Sequence, residues 1–147
     1  MEFASEIHKS CYERVAGYMK DLFGEFARPN DKTPTFGISS GSVYVQVGIY
    51  PRGNEDAYVN VWAWIVMGPE RTPELMAYLL KLNTTLRYGS FGMDDAGDIL
   101  FKHSVRAIGC DKDQLRNSIN AVMYTADEED DKIVARWGGR RASDPAK

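Results

Sequence analysis

The pattern closest to a catalytic motif is the pentapeptide Gly37–Gly41, GISSG, which matches the G-x-S-x-G consensus. In α/β-hydrolases this pentapeptide places a nucleophilic serine on a strained turn between a strand and a helix. Asp98 and His103 follow Ser39 in the hydrolase order. The residues after the pentapeptide, Val43–Tyr50, nevertheless alternate as a strand does, and a chain of 147 residues is short for a doubly wound sheet. We therefore predict a hairpin turn at Ser39, and a small serine hydrolase is the alternative function.

The remaining polar clusters favour structural roles over metal or cofactor chemistry. The two histidines, His8 and His103, lack the spacing of a metal site. Asp94, Asp95 and Asp98 surround Gly97, but their register is not that of a calcium loop, so they predict a turn. Neither a Walker A motif nor a dinucleotide-binding glycine pattern is present. The sequence therefore predicts no cofactor, no metal ion and no catalytic residue.

Composition indicates one cytoplasmic domain. The net charge of −3 is a poor match to a phosphate backbone, so we expect no nucleic acid partner. The N-terminus does not resemble a signal peptide, and no apolar run approaches the roughly 18 residues of a membrane span. Cys11 and Cys110 form no zinc or redox spacing, which predicts two reduced thiols in the cytoplasm.

The stretch Arg71–Arg106 predicts a helix that leads into a β-hairpin. Thr72 and Pro73 form a helix start, and leucines then recur at helical spacing until Gly89, which predicts a helix over Thr72–Arg87. Two strands, Ser90–Met93 and Asp98–Val105, flank the turn residues DDAG. In the second strand, Ile99, Phe101, His103 and Val105 share one face, and Leu100, Lys102, Ser104 and Arg106 share the other.

The rest of the chain completes an α+β pattern. Helical stripes predict a first helix over Glu6–Phe26 and a last helix from Asp111 to about Trp137. Between them, strands are predicted at Phe36–Ile38, Val43–Tyr50 and Ala57–Met67. Both faces of the third are apolar, so we expect it at the centre of the sheet with cover on both sides. The predicted fold is a single α+β domain of residues 1–137, ordered α-β-β-β-α-β-β-α, with helices packed on a mainly antiparallel sheet. Residues 138–147 are predicted to be a flexible C-terminal tail.

Two groups of residues are candidates for contact with a partner. The first consists of the strand aromatics Tyr44, Tyr50, Tyr58, Trp62 and Trp64, which either stack on a partner or pack in the core. The second is the acidic run Asp127, Glu128, Glu129, Asp130 and Asp131, which either attracts a basic segment or forms a solvated helix face.

Three segments resemble a known family. The stretches Leu79–Asn83, Tyr88–Phe91 and Asp95–Ile99 resemble the helix-plus-hairpin segment of the bacterial YbjN-like family. That family is similar in fold to the class I type III secretion chaperones, which are small, acidic and homodimeric. The order of elements extends the resemblance over Ile7–Trp137. The family has no established catalytic residues, so the resemblance implies none here.

The sequence thus favours a non-enzymatic protein-binding module, chaperone-like or regulatory, that holds a segment of a protein or peptide partner. The expected assembly is a homodimer with two-fold symmetry, because the helix Thr72–Arg87 and the strand Ala57–Met67 offer more apolar surface than one side of a small sheet covers. Besides the hydrolase, a small-ligand sensor with a closed pocket lined by Trp62, Trp64 and tyrosines is the other alternative.

Overall fold

The computed structural model describes residues 1–145 and contains three α-helices and seven strands in that range. The helices are α1 (Glu6–Phe23), α2 (Pro73–Thr85) and α3 (Lys112–Trp137). The strands are β1 (Arg28–Pro29), β2 (Thr35–Ser40), β3 (Val43–Arg52), β4 (Asp56–Met67), β5 (Ser90–Met93), β6 (Ile99–Arg106) and β7 (Arg140–Arg141). Short 3₁₀ turns follow α1 and β6. The predicted α+β class and the predicted main elements are confirmed.

Each helix begins at a side-chain cap that the sequence supplies. The Ser5, Thr72 and Asp111 side chains accept hydrogen bonds from backbone N–H groups at His8, Leu75 and Gln114. The predicted first helix ends earlier than expected, at Phe23. The reason is Gly24, whose φ of +54° leaves the helical region and starts a 3₁₀ turn.

All seven strands belong to one antiparallel sheet, in the order β1-β2-β3-β4-β6-β5, with β7 paired to the end of β4. The predicted central position of β4 is confirmed, since β3 and β6 flank it. Among residues 1–145, no helix combines the length and the apolarity needed to cross a bilayer.

The core lies between one face of the sheet and the helices. The odd-numbered residues from Val43 to Ile49 on β3 and from Ala57 to Ile65 on β4 are buried beneath α1 and α3. The α3 residues Leu115, Ile119 and Ile133 complete this layer from the helical side. The helix α2 packs beside the edge strand β5, where the Asn83 side chain both donates to and accepts from the backbone of Phe91.

The opposite face of the sheet is open, which corrects one expectation. The prediction that β4 is covered on both sides is wrong within residues 1–145. The even-numbered side chains from Tyr58 to Trp64 on β4 are exposed or half-buried, and so are those from Leu100 to Arg106 on β6. Because the strand period is two, alternating exposure means that only one face is packed against the chain's own helices.

The predicted free tail is also partly wrong. Gly138 and Gly139 have φ of +73° and +80°, and this turn sends Arg140 and Arg141 back to pair with Met67 and Val66. The guanidinium of Arg141 then forms a salt bridge with Asp144 at 3.0 Å. Residues 146–147 of the predicted tail lie outside the described residues.

Candidate functional site

The open face gathers all five aromatic residues that the sequence put forward. Tyr44 and Tyr50 lie on β3, and Tyr58, Trp62 and Trp64 lie on β4. Tyr50 stands opposite Tyr58 across the two strands. Tyr44 is 47% exposed, and Tyr50 and Tyr58 are each 40% exposed. We refer to these five residues as the aromatic row.

The centre of the aromatic row is a shallow, open groove of about 200 Å³. It is lined by Tyr50, Asn60, Trp62, Trp64, Leu100 and Lys102. The Tyr50 and Trp62 rings lie 6.4 Å apart at an angle of 41°. None of the lining residues comes from a helix, so the groove is a property of the open sheet face alone.

A glycine beneath the rings lets them lie flat on the strand. A Cβ atom at Gly48 would come within 2.7 Å of the Tyr50 ring and 3.0 Å of the Trp62 ring. The two rings therefore occupy the space that the side chain of any residue other than glycine would fill at position 48. The result is a low aromatic surface that leaves the groove accessible.

Trp64 is held by a hydrogen bond to the turn between β5 and β6. Its indole N–H donates to Oδ2 of Asp94 at 3.0 Å, and the backbone N–H groups of Ala96 and Asp98 donate to the other carboxylate oxygen. The hydrogen bond from Trp64, followed by those from the backbone, lowers the pKa of Asp94. Trp64 therefore joins the groove to the β5–β6 turn, and its replacement affects local structure as well as the surface.

Sequence reasoning missed the β6 contribution to the groove. Leu100 and Lys102 stand opposite Trp64 and Trp62, respectively, and are as close to the groove as the tryptophans. The alternation of side chains along β6 predicts that Leu100 and Lys102 share a face. It does not predict the register between β4 and β6, because that register depends on how two segments distant in the sequence pair.

The geometry required for the serine hydrolase is absent. Ser39 lies on β2 and faces the open side with Tyr44, its cross-strand partner, whereas His103 pairs with Val61 and faces the core side. Two strands, β3 and β4, separate β2 from β6, a distance of about 14 Å at the usual strand spacing. A strand follows Gly41, as predicted, but the predicted turn at Ser39 itself is wrong. Ser39 and Ser40 extend β2, and the turn consists of Gly41, whose φ is +58°, and Ser42. Ser39 and His103 thus cannot act as a nucleophile and its base in this fold.

The two histidines serve separate parts of the fold. The His8 imidazole is buried, its Nε2 atom lying 2.8 Å from the Ile49 carbonyl oxygen and its Nδ1 accepting from the Ala4 N–H. The hydrogen bond between His8 and Ile49 connects α1 to β3. Within residues 1–145 no three histidine, cysteine, aspartate or glutamate side chains are arranged to hold a metal ion.

The acidic run on α3 is divided by burial. Glu129 and Asp130 are only 6% and 3% exposed. The Tyr78 hydroxyl donates to Glu129 at 2.5 Å, and the Ser42 hydroxyl donates to Asp130 at 3.3 Å. These two carboxylates connect α3 to α2 and to the β2–β3 turn. Because both are buried and hydrogen-bonded within the chain, the prediction that they contact a partner is wrong for this fold. Only Asp127, Glu128 and Asp131 are exposed, and they lie on the helical side of the sheet.

His103 supplies a pH-dependent prediction. Burial lowers the pKa of its imidazole, whose Nε2 atom has no hydrogen-bond partner within residues 1–145. The unfolded chain therefore binds a proton first as pH falls below about 6.5, and the folded state loses stability from that pH down to the folded pKa. His103→Phe is expected to reduce the loss of stability between about pH 7.5 and 5.5, measured by urea unfolding. Equal losses for both proteins would contradict the prediction.

Comparison with known proteins identifies the family. Residues 10–145 match the family model described as T3SS (YopN, CesT) and YbjN peptide-binding chaperone 1. No curated protein matches this chain. The solved structures of similar fold include the three described next, each at 13% sequence identity or less.

The ExsC–ExsE complex matches with a TM-score of 0.65 and 13% identity, covering 83% of this chain and 95% of that chain. The HopA1–SchA chaperone–effector complex matches with a TM-score of 0.64 and 8% identity, covering 82% and 94%. The Yersinia pestis type III secretion chaperone SycH, in complex with a stable fragment of YscM2, matches with a TM-score of 0.58 and 12% identity, covering 82% and 98%. The fold is therefore that of the secretion chaperones, and the family match, which spans most of the chain, shows that this chain belongs to the T3SS (YopN, CesT) and YbjN peptide-binding chaperone 1 family.

Proposed function

We propose that this protein is a non-enzymatic, chaperone-like module that holds an extended segment of a partner protein on its open sheet face. The observation that carries this proposal is the convergence of the aromatic row on one uncovered face, beside a groove made only by strands. Exposed apolar side chains that form a continuous surface typically mark sites of protein interaction.

The chemistry of the groove suits an extended peptide. Successive side chains of an extended segment point to opposite sides, so every second side chain can enter the groove. Tyrosine and tryptophan rings bury a large area and lose few rotamers on binding, which makes them frequent energetic centres of interfaces. The open face therefore offers contact without requiring a folded partner.

Family membership and the structural neighbours support a peptide or protein partner. The family model is described as peptide-binding, and two neighbours are complexes in which a chaperone holds an effector or a protein fragment. Because these neighbours are at most 12% identical to this chain, their contacts do not assign residues here. The residues of the aromatic row are our own assignment from burial and register.

A peptide library provides the direct test. Random short peptides displayed on phage would be selected on the immobilised full-length protein, and enriched peptides measured by fluorescence anisotropy. We expect enriched peptides to bind the wild type and to lose binding to a variant carrying Tyr50→Ser and Trp62→Ser. Retained binding to that double variant, or the absence of any enriched peptide, would contradict the proposal.

The small-ligand sensor is less well supported than the peptide-binding module. It requires a closed apolar pocket at Trp62 and Trp64, and the groove there is shallow and open. A larger cavity, about 830 Å³, lies instead between the end of β4, α3 and the C-terminal segment, with Met67, Val134 and Arg140 among its lining residues. None of the five aromatics lines that cavity.

The homodimer stays a prediction, and the structure supplies a new reason for it. Leu80 of α2 is 67% exposed, on a helix whose Leu75 and Leu79 are buried. This exposed leucine supplies one apolar contact that an isologous interface between two copies would bury. We expect a dimer at tens of micromolar by sedimentation velocity and a monomer for Leu80→Glu, whereas a monomeric wild type would contradict the prediction.

We also propose a cytoplasmic location. Cys11 and Cys110 are both unpaired and buried, as is common in reducing compartments. Burial raises the pKa of Cys110 to about 11, which keeps its thiol protonated and unreactive near neutral pH.

The exposed acidic residues Asp127, Glu128 and Asp131 keep their predicted role. We propose that they attract a basic region of the partner that lies outside the groove, an effect that added salt would weaken.

A further inference from the structure

A single basic side chain lies within the aromatic groove. Lys102 stands opposite Trp62 on the neighbouring strand and lines the groove together with Trp64 and Tyr50. The side chain is exposed, and within residues 1–145 its ammonium group has no carboxylate within 4.0 Å. The groove thus combines aromatic surface with a positive charge that the described chain does not neutralise.

The positive character extends along one half of the open face. The guanidinium of Arg52 donates to the Tyr58 hydroxyl at 3.2 Å, and Arg106 stands opposite Tyr58 on β6. Arg106 forms a salt bridge of 2.9 Å with the buried Asp56, yet its side chain is 56% exposed. Because Arg106 is paired with Asp56, the positive charge of this half of the face comes from Lys102 and Arg52, although the chain as a whole carries a net charge of −3.

An acidic group, Asp94, lies at the Trp64 end of the groove. Asp94 accepts hydrogen bonds from Trp64 and from two backbone N–H groups, so its oxygens are occupied by the chain itself. Because the negative charge of Asp94 repels another carboxylate, the Trp64 end of the groove is the less favourable place for a carboxylate of the ligand. The charge pattern consequently distinguishes the two ends of the groove.

We propose that the partner segment is an extended apolar–acidic peptide whose aspartate or glutamate pairs with Lys102 while its apolar side chains cover Trp62 and Tyr50. This inference rests on the proposed function. Side chains directly opposite each other on neighbouring strands have Cβ atoms about 5 Å apart. A carboxylate two residues from an apolar side chain, on the same face of the peptide, therefore reaches Lys102 when the apolar group lies on Trp62.

The same charges disfavour a second copy of the chain as the occupant. Two copies meeting through this face about a two-fold axis at the groove would bring Lys102 of each copy close to Lys102 of the other. Like charges across an interface oppose association. An acidic segment has the opposite charge and the same apolar complementarity, so the face is better matched to it.

Two labelled peptides test the charge preference. Both carry apolar side chains at alternate positions, and one central position on that face is glutamate in the first peptide and lysine in the second. Anisotropy titrations would be made with the wild type, with Lys102→Glu and with the control Lys81→Glu. Lys81 is exposed on α2, so the control makes the same charge change away from the open face.

We expect the wild type and Lys81→Glu to prefer the glutamate peptide by roughly fivefold, the upper range for an exposed ion pair, and Lys102→Glu to prefer the lysine peptide. Equal binding of both peptides by the wild type, unchanged by Lys102→Glu, would overturn this inference and leave the proposed function standing. Failure of both peptides to bind any of the three proteins would overturn the inference and count against the proposed function as well. Preference for the lysine peptide by the wild type would also overturn it.

Discussion

Replacing Trp62 by alanine is expected to weaken peptide binding by roughly 30-fold or more while the protein stays folded. Trp62 lies at the centre of the groove, between Tyr50 and Lys102, and central aromatic residues that a partner covers typically contribute about 2 kcal/mol or more to binding. The ring is half-buried on the open face, so its loss should reduce the free energy of unfolding by only about 1 kcal/mol. Anisotropy with a selected peptide and urea unfolding measure the two effects.

Tyr124→Ala is the matched control for this prediction. Tyr124 is another large aromatic residue, 68% exposed, but it lies on α3 on the helical side of the sheet. Its replacement should leave both peptide binding and stability close to the wild type. If Trp62→Ala binds the peptide normally, or if it unfolds the protein as a core substitution does, Trp62 is not part of a binding surface.

Replacing Phe101 by alanine should have the largest effect on stability, a loss of about 3–5 kcal/mol in the free energy of unfolding. Phe101 is fully buried beneath the helices, and its ring packs edge-on against Phe91 at 5.0 Å. It neighbours Lys102, which points to the opposite face. The cavity left by the ring cannot collapse easily, because strands flank it on both sides.

Urea unfolding of Phe101→Ala, compared with Lys102→Ala, tests this assignment of faces. The neighbouring substitution should change the free energy of unfolding by less than about 0.5 kcal/mol, as is usual for an exposed position. Similar effects of the two substitutions would mean that the sheet does not divide into a packed face and an open face.

Local signals in the sequence account for most of the elements. Thr72 and Pro73 begin α2 as predicted, and alternation at Val43–Tyr50 predicts β3. The continuation of the last helix to Trp137 also follows from its apolar spacing. These features were predictable because caps and periodicity act over a few residues.

Features that depend on distant pairing were not predictable in the same way. Both faces of β4 are apolar in the sequence, because Trp62 and Trp64 on one face are large apolar side chains, as are the buried Val61 and Ile65 on the other. Only the placement of the helices decides which face is the core. The burial of Glu129 was likewise hidden, since it depends on a tyrosine from α2 reaching α3. The return of the C-terminal segment to β4 required the geometry of the glycine turn at residues 138–139.

The most direct test of the central claim is a map of backbone amide chemical shifts of the ¹⁵N-labelled protein during titration with a library-selected peptide. We expect the largest changes in β3, β4 and β6 around Tyr50, Trp62 and Lys102, with small changes along α1 and α3. If the largest changes fall on the helices and the open sheet face is unaffected, the claim that this face holds the partner segment is contradicted.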